Sequence, residues 1–428
     1  MQAQSKLKQS IAVKNIPKVF LHPATVKHLK KGHFWVTKDS FTAKFPDAPV
    51  LAGYDKQTQS FAGYFLADKK HPDVKARLIL NEIQKPDAQF SFLTLLEERL
   101  VAACLKRKEL LESRARENVL LVNGESDYLP GLLILLLKDQ ILIQCYAYFW
   151  QDLAYDLAPL ILKIISQHLP HQKIEHIWLQ QREHERKANL ICLTDPNLKE
   201  KKIILKEYDI DYLLQLNQHY DLGIYSDMAA LRPKMLPYMK DAQRILNLYS
   251  YTGAISLFAL KNSSARVYSV DLSPKYLAWL DENIQLNQEK YPHFQSAHES
   301  ICSSSKESLK KFSQELKSPE EAFQLIVCDP PSSSSDGEKR TNALQDYAEL
   351  LPLMNQILQP AGHLILFLNT HGVSSLKFQE KILGIIQEHS LTLKLVKVLK
   401  LDEDYIPSKG FYEGDYLKGI VLKKERPK

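Results

Sequence analysis

Apolar positions between Arg244 and Asp271 change period twice. Ile245 to Leu248 is a short apolar run, Ser-Tyr-Thr-Gly makes a turn, Ala254 to Leu260 resumes at helical spacing, and Val267 to Val270 extends again. That pattern predicts a β-turn-α-β unit closed by an acid. The alternation continues downstream. Pro274 to Asn287 reads as a helix, Ala297 to Ile301 as the end of a third strand, and Ser303 to Lys317 as a helix. FQLIVCDPP is a fourth strand ending in Asp329-Pro330-Pro331, Ser332 to Arg340 a polar loop, Leu344 to Leu358 a helix, and GHLILFLNTHG a fifth strand with its exit. Repeated β-α alternation predicts a doubly wound parallel sheet covered by helices on both faces. Ligand and chemistry then belong at the C-terminal strand ends.

Upstream the pattern differs. Residues 18–82 carry short alternating runs broken by Pro23, Gly32, Pro46, Pro49 and Asp55, which predict a small β-rich module with one helical piece at Thr25 to Lys31. Phe90 to Arg116 reads as one amphipathic helix, Gly124 to Gly131 as a turn between strands, and Asp152 to Gln167 as a second amphipathic helix. The charges of QQREHERK predict a solvated hairpin tip, where His184 has no assigned role.

At 428 residues the chain has room for two or three domains. Its longest unbroken apolar runs, Leu132 to Leu137 among them, fall far short of the ~20 residues of a membrane span. The N-terminus has lysines but no apolar core, so no secretory signal is expected. Five scattered cysteines, none in CxxC spacing, point to a reducing cytoplasm and no zinc or other metal. Charge is local: residues 1–80 hold 14 Lys/Arg against 5 Asp/Glu, a net of +9, while the other 348 residues sum to −3. A cationic module on a near-neutral body is the footprint of a polyanion binder. Lys27, Lys30 and Lys31 lie within about one helical turn beside Phe34 and Trp35, a mixture suited to RNA phosphates and unstacked bases. Trp35 itself reads as core.

The turn at Gly253 brings backbone N–H groups close to a ligand, and Asp271 closes the next strand where a ribose diol needs an acceptor. One glycine, where a dinucleotide site wants three, favours S-adenosylmethionine over NAD. A doubly wound domain that binds no nucleoside is the competing reading of this unit taken alone.

Taken together, these stretches resemble the bacterial 23S ribosomal RNA methyltransferases built from an N-terminal PUA domain, a central domain and a class I S-adenosylmethionine-dependent methyltransferase domain. The marks are HFWV at His33 to Val36; GESDYLPG at Gly124 to Gly131, where the family has Gly at the Tyr128 position; GIYSD at Gly223 to Asp227 with Arg232; NLYSYTG at Asn247 to Gly253; VDLS at Val270 to Ser273; DPP at Asp329 to Pro331; and YEGDYLKG at Tyr412 to Gly419. The resemblance implies a PUA-like RNA-binding domain over 1–85, a linker helix and central α+β domain over 86–205, and a methyltransferase domain over 206–428. Tyr225 and Asp227 would sit by the cofactor, and Ser250, Tyr251, Thr252 and Gly253 would approach its amino-acid moiety. Asp271 would take the ribose hydroxyls with Leu272 beside it. Glu299 or Ser300 would lie near the adenine amino group, where the family prefers Asp. Asp329 would sit beside the methyl donor, and Pro330 and Pro331 would stiffen the loop that receives the base.

One departure matters. Relatives that methylate cytosine C5 carry a nucleophilic Cys at the end of the fifth strand, because C5 becomes nucleophilic only after a thiolate adds to C6. Here the turn is Leu368-Asn369-Thr370-His371-Gly372, and Cys328 lies in a strand expected to be buried. Asn369 and the loop Gly337 to Arg340 look more like relatives that form 7-methylguanine. Asn369 would read the base edge, with Arg232, Lys339 and Arg340 on the RNA. The expected partner is ribosomal RNA, with no membrane and no metal, and a homodimer is left open. The alternatives are C5 methylation with a relocated thiol and a degenerate member that binds RNA without turnover.

Overall fold

Short runs of mostly buried positions build the first sheet of the computed structural model, which describes residues 16–44, 46, 48–68, 70–81, 92–181, 190–218, 221–331, 333–335 and 340–426. The chain forms two compact units. One comprises Met1–Lys201, Gln215–Leu222 and Asp404–Gly414; the other comprises Lys202–Leu214, Gly223–Glu403 and Asp415–Lys428.

In the first unit, β1 (Lys18–Leu21), β2 (Trp35–Thr37), β3 (Val50–Asp55), β4 (Phe61–Ala67) and β5 (Val74–Asn81) form a sheet in the order β1-β3-β4-β5-β2. Leu21, Val36, Leu51 and Phe65 fill its core. The helix Pro23–Lys30 starts on a proline, whose missing N–H costs nothing there, and ends among Lys27, His28 and Lys30, which suit the negative end of its dipole. A second sheet holds β6 (Asn118–Asn123), β7 (Leu132–Leu137), β8 (Gln140–Cys145), β9 (His176–Gln181) and β10 (Leu190–Cys192), ordered β10-β9-β8-β7-β6. Helices Phe92–Lys106 and Tyr148–His168 pack on it. Val50, Leu66 and Ile79 of the first sheet join that same core, so residues on both sides of position 85 share it.

The single helix expected over Phe90 to Arg116 is two, Phe92–Lys106 and Lys108–Ser113, with Phe90 outside the described residues. The break is at Arg107, which is buried. Its guanidinium reaches Asp127 at 2.6 Å and donates to the Leu120 carbonyl at 3.0 Å, satisfying a charge that would otherwise be costly to bury. The GESDYLPG turn is a structural clasp: Glu125 accepts from the Trp35 indole at 2.7 Å and from Arg77 at 3.3 Å. Trp35 is half-buried and packs against the sheet core, as expected, while Arg77 lies 5.2 Å from its ring centroid, so the same side chain also belongs to this clasp. Tyr128, at the position where the resembling family has Gly, sits at φ 58°, the left-handed region that Gly adopts most readily.

The second unit contains residues of a hairpin, β11 (Lys201–Glu207) and β12 (Ile210–Leu216), turned through Tyr208 and Asp209, both at positive φ. Its main sheet comprises β13 (Arg244–Leu248), β14 (Arg266–Asp271), β15 (His298–Cys302), β16 (Phe323–Cys328), β19 (Leu358–Asn369), β20 (Leu393–Lys400) and β21 (Leu417–Lys424). The order is β15-β14-β13-β16-β19-β21-β20. The first five strands are parallel, whereas β21 runs antiparallel to both β19 and β20. The sheet is therefore mixed, not parallel throughout as the β-α alternation predicted. The order reverses between β13 and β16, so their carboxyl ends open the crevice where α/β sheets bind ligands. Within the serine-rich segment expected as a loop, β17 (Ser333–Ser335) and β18 (Arg340–Asn342) pair antiparallel. Among the described residues no helix is long and apolar enough to cross a membrane, and no group of three or more His, Cys, Asp or Glu could hold a metal.

Candidate active site

β13 ends at Leu248, and the next five residues form a tight loop. Tyr249 and Tyr251 both have positive φ, and Ser250 N–H donates to the Val270 carbonyl at 2.9 Å. Gly253 sits at φ +88°, where a Cβ would lie 2.5 Å from Leu280 Cγ, so any side chain would both strain the backbone and collide. The helix Ala254–Asn262 follows. GIYSD is tied to this loop. The Thr252 hydroxyl donates to the Gly223 carbonyl, Gly223 N–H donates to the Tyr251 hydroxyl at 3.0 Å, and Asn283 donates to the Thr252 carbonyl at 2.9 Å. Gly223 has its own reason: a Cβ there would meet Trp279 Cζ2 at 2.4 Å.

Asp271 ends β14 half-buried, with Oδ2 accepting from Tyr251 N–H and Oδ1 from Ser273 N–H, each at 2.9 Å. Two donors fix the carboxylate, and each oxygen keeps acceptor capacity for a hydroxyl pair. Leu272 beside it is 58% exposed, an apolar side chain open to a ligand. Tyr225 is exposed, its ring 5.1 Å from that of Tyr251, which lies 4.6 Å edge-on to Tyr276. On β15, Glu299 is half-buried and pairs with Arg266 at 2.8 Å, while the Ser300 hydroxyl donates to Asp281 at 3.0 Å. Asp281, on the helix Pro274–Leu286, was missed from the sequence, because nothing in local spacing puts a helix carboxylate beside a strand serine. Among the described residues the buried Ser250 hydroxyl has no hydrogen-bond partner.

β16 delivers Asp329 and the buried Pro330. Burial, and then the charge of Asp227, push the Asp329 carboxyl up to about 7. Burial also raises Asp227, against the pull of the Tyr416 hydroxyl, which donates to Oδ2 at 2.8 Å, and of Arg232. Asn369 ends β19 half-buried. The buried Tyr347 hydroxyl donates to the Cys328 carbonyl at 3.1 Å and the Phe367 carbonyl at 2.6 Å, tying the ends of β16 and β19 together. Cys328 itself is fully buried in the core, which holds its thiol well above the usual range.

Of the expected RNA contacts, Lys27, Lys30 and Lys31 are exposed at the end of the helix Pro23–Lys30. Arg232 is corrected: it is buried and forks onto Glu207 through Nε and Nη2, the latter at 2.6 Å, while Nη2 also donates to the Tyr225 carbonyl at 3.4 Å. Its charge is consumed inside the fold, so it cannot hold a phosphate. Lys339 lies outside the described residues, and Arg340 opens β18.

The glycine-turned loop after β13 and the acid ending β14 sit on a β15-β14-β13-β16-β19-β21-β20 sheet, an α/β arrangement whose crevice at the strand ends is where such folds bind ligands. S-adenosylmethionine-dependent methyltransferases match residues 161–397, more than half of the chain, and the chain belongs to that family. Over 414 residues it is 24% identical to the ribosomal RNA large subunit methyltransferase I of Vibrio cholerae, covering 95% of this chain and 99% of that protein. A solved structure described as "a putative sam-dependent methyltransferase from Streptococcus mutans" has the same fold, with TM-score 0.78, 20% identity, and 95% and 100% of the two chains covered. A second, complexed with SAH, gives TM-score 0.77 at 20% identity and the same coverage.

Proposed function

We propose that this enzyme methylates large-subunit ribosomal RNA at a base nitrogen, of the 7-methylguanine kind, and that its N-terminal β module is a PUA-like RNA holder. The Vibrio relative, aligned over nearly its whole length, supports the RNA class. The choice of atom rests on one observation: the β19 turn carries Thr370, and Cys328, the thiol at the end of the neighbouring β16, is fully buried. A threonine hydroxyl is essentially never ionised at neutral pH and cannot serve as the C6 nucleophile.

When bound, S-adenosylmethionine supplies an electrophilic methyl group. The buried, unpartnered Ser250 hydroxyl and the side-chain-free approach at Gly253 fit such a ligand. Asp271 would take the ribose hydroxyls, Tyr251 and Thr252 would line the amino-acid end, and Leu272 and Tyr225 would cover apolar surface. Ser300, backed by Asp281, would meet the adenine edge in place of the family's Asp. Asp329 offsets the positive charge that attack by a ring nitrogen creates, Pro330 stiffens its loop, and Asn369 orients the base edge.

Nucleoside analysis of ribosomal RNA from a deletion strain should show loss of one N-methylated base, restored by the gene; loss of 5-methylcytosine instead would overturn the choice of atom. Cys328→Ala should keep turnover within about tenfold, ~1.4 kcal/mol of barrier. RNA substituted with 5-fluorocytosine should trap no adduct. Asp271→Ala should weaken cofactor binding by on the order of 1–3 kcal/mol, since two charge-assisted hydrogen bonds are lost, and calorimetry measures it directly. Exchanging Lys27, Lys30 and Lys31 for Glu should flatten the salt dependence of RNA binding, at about 0.7 in log–log slope per lost contact, with cofactor affinity unchanged. An unchanged slope would leave those lysines as solvated surface.

A further inference from the structure

The YEGDYLKG motif contributes a strand whose side chains have no role in the reading above. β21 lies between β19 and β20, with Leu417 opposite Asn369. One residue earlier, the Tyr416 carbonyl accepts from Thr370 N–H at 2.8 Å. Two residues on, the ammonium of Lys418, a residue 2% exposed, donates to the Thr370 carbonyl. Both main-chain polar groups of Thr370 are thus held by β21 and the residue that leads into it. The Tyr416 ring lies 5.4 Å from the His371 ring, and its hydroxyl donates to Asp227 at 2.8 Å. One residue therefore touches the turn that ends β19 and the carboxylate of the GIYSD segment.

We infer that Tyr416 is a positioning residue that sets the Asn369–His371 turn, which receives the acceptor base, against Asp227 on the cofactor side. The inference rests on the methyltransferase reading. Tyr416 acts through two other groups: its main chain and ring hold the turn, and its hydroxyl favours the ionised form of Asp227. The charged and titratable groups acting on Asp227 are Tyr416 just before β21, Arg232 on the helix Arg232–Met239, and Asp329 after β16, with Met228 N–H donating from its own segment. Arg232 is committed to Glu207, so the Tyr416 hydroxyl is the neighbour whose removal changes the charge of the site without unpairing another ion.

Tyr416→Phe keeps the ring and the main chain and deletes only the hydroxyl. It should lower kcat about tenfold or more, as expected for losing a hydrogen bond to a charged group, with KM for RNA within about twofold. Because the lost donor favoured ionised Asp227, the acid limb of the pH profile should move to higher pH. The number of protons exchanged on S-adenosylmethionine binding, read by calorimetry in two buffers of different ionisation enthalpy, should also change. Tyr416→Leu should in addition raise KM for RNA, because the ring against His371 is lost, and Tyr416→Phe should restore it. A Tyr416→Phe enzyme with wild-type kcat, pH profile and proton count would overturn the inference. Failure of the wild-type enzyme itself to bind S-adenosylmethionine or methylate RNA would instead overturn the methyltransferase reading.

Discussion

Asp329→Asn should lower turnover by on the order of 10²–10³-fold, the usual loss when one group aimed at developing charge is removed, while making the cofactor-free protein more stable above pH 7. The two effects share a cause. Burial first, and then the charge of Asp227, raise the Asp329 carboxyl to about 7 from its ordinary 3.8. The folded state therefore prefers the neutral acid. The stability tied to that preference is fully present below the ordinary carboxylate range and is lost as pH rises through about 7. Above that the wild-type protein bears the whole penalty, on the order of 4 kcal/mol. Asn has the same shape and no proton to lose. Urea unfolding at pH 5 and pH 8.5 should show the wild-type protein weakening at the higher pH and the variant holding steady. Parallel behaviour of the two would mean that Asp329 is not the strained charge. The cationic cofactor should relieve the same strain, so S-adenosylmethionine should bind more tightly relative to its neutral-sulfur product as pH rises from 6 to 8.

The core of the site is legible in the sequence because its signals are local. A short apolar run, a glycine turn, a helical run and a second apolar run ending in Asp271 occupy fewer than thirty consecutive positions, and the fold keeps that order from β13 to β14. What stays hidden depends on partners far away in the chain. The antiparallel insertion of β21 is decided by pairing with β19, about fifty residues earlier, and no periodicity encodes which side of β20 a strand will take. Asp404 reads as one more acid near the C-terminus, yet it is buried against Arg116 and accepts from Leu120 N–H at 2.6 Å, which carries residues 404–414 into the first unit. The sequence through Arg107 has continuous helical spacing, and the break there follows from distant partners, the Asp127 carboxylate and the Leu120 carbonyl. Tyr416 lies in a motif that is plain to see, but its chemistry appears only when β21 brings it to Asp227.

Arg232 shows the same limit with the opposite sign, and it carries the second large expectation. Beside Asp227 in the sequence it reads as a cation available to RNA; in the fold it is 1% exposed, and so is its partner Glu207 on β11. Arg232→Met would leave the Glu207 carboxylate buried without its counter-ion and release the Tyr225 carbonyl. Breaking a buried pair from one side costs about 3–5 kcal/mol, far more than losing a surface phosphate contact. For a unit of roughly two hundred residues that is about 6–20 °C in the thermal midpoint. The double variant Arg232→Met/Glu207→Leu should recover most of the loss, because two apolar side chains of similar volume remove the unpaired charge along with the pair. Assayed well below its melting point, Arg232→Met should bind RNA with an unchanged salt slope, since no phosphate contact has gone. A slope reduced by about one contact, with the thermal midpoint untouched, would return Arg232 to the RNA surface and contradict its burial.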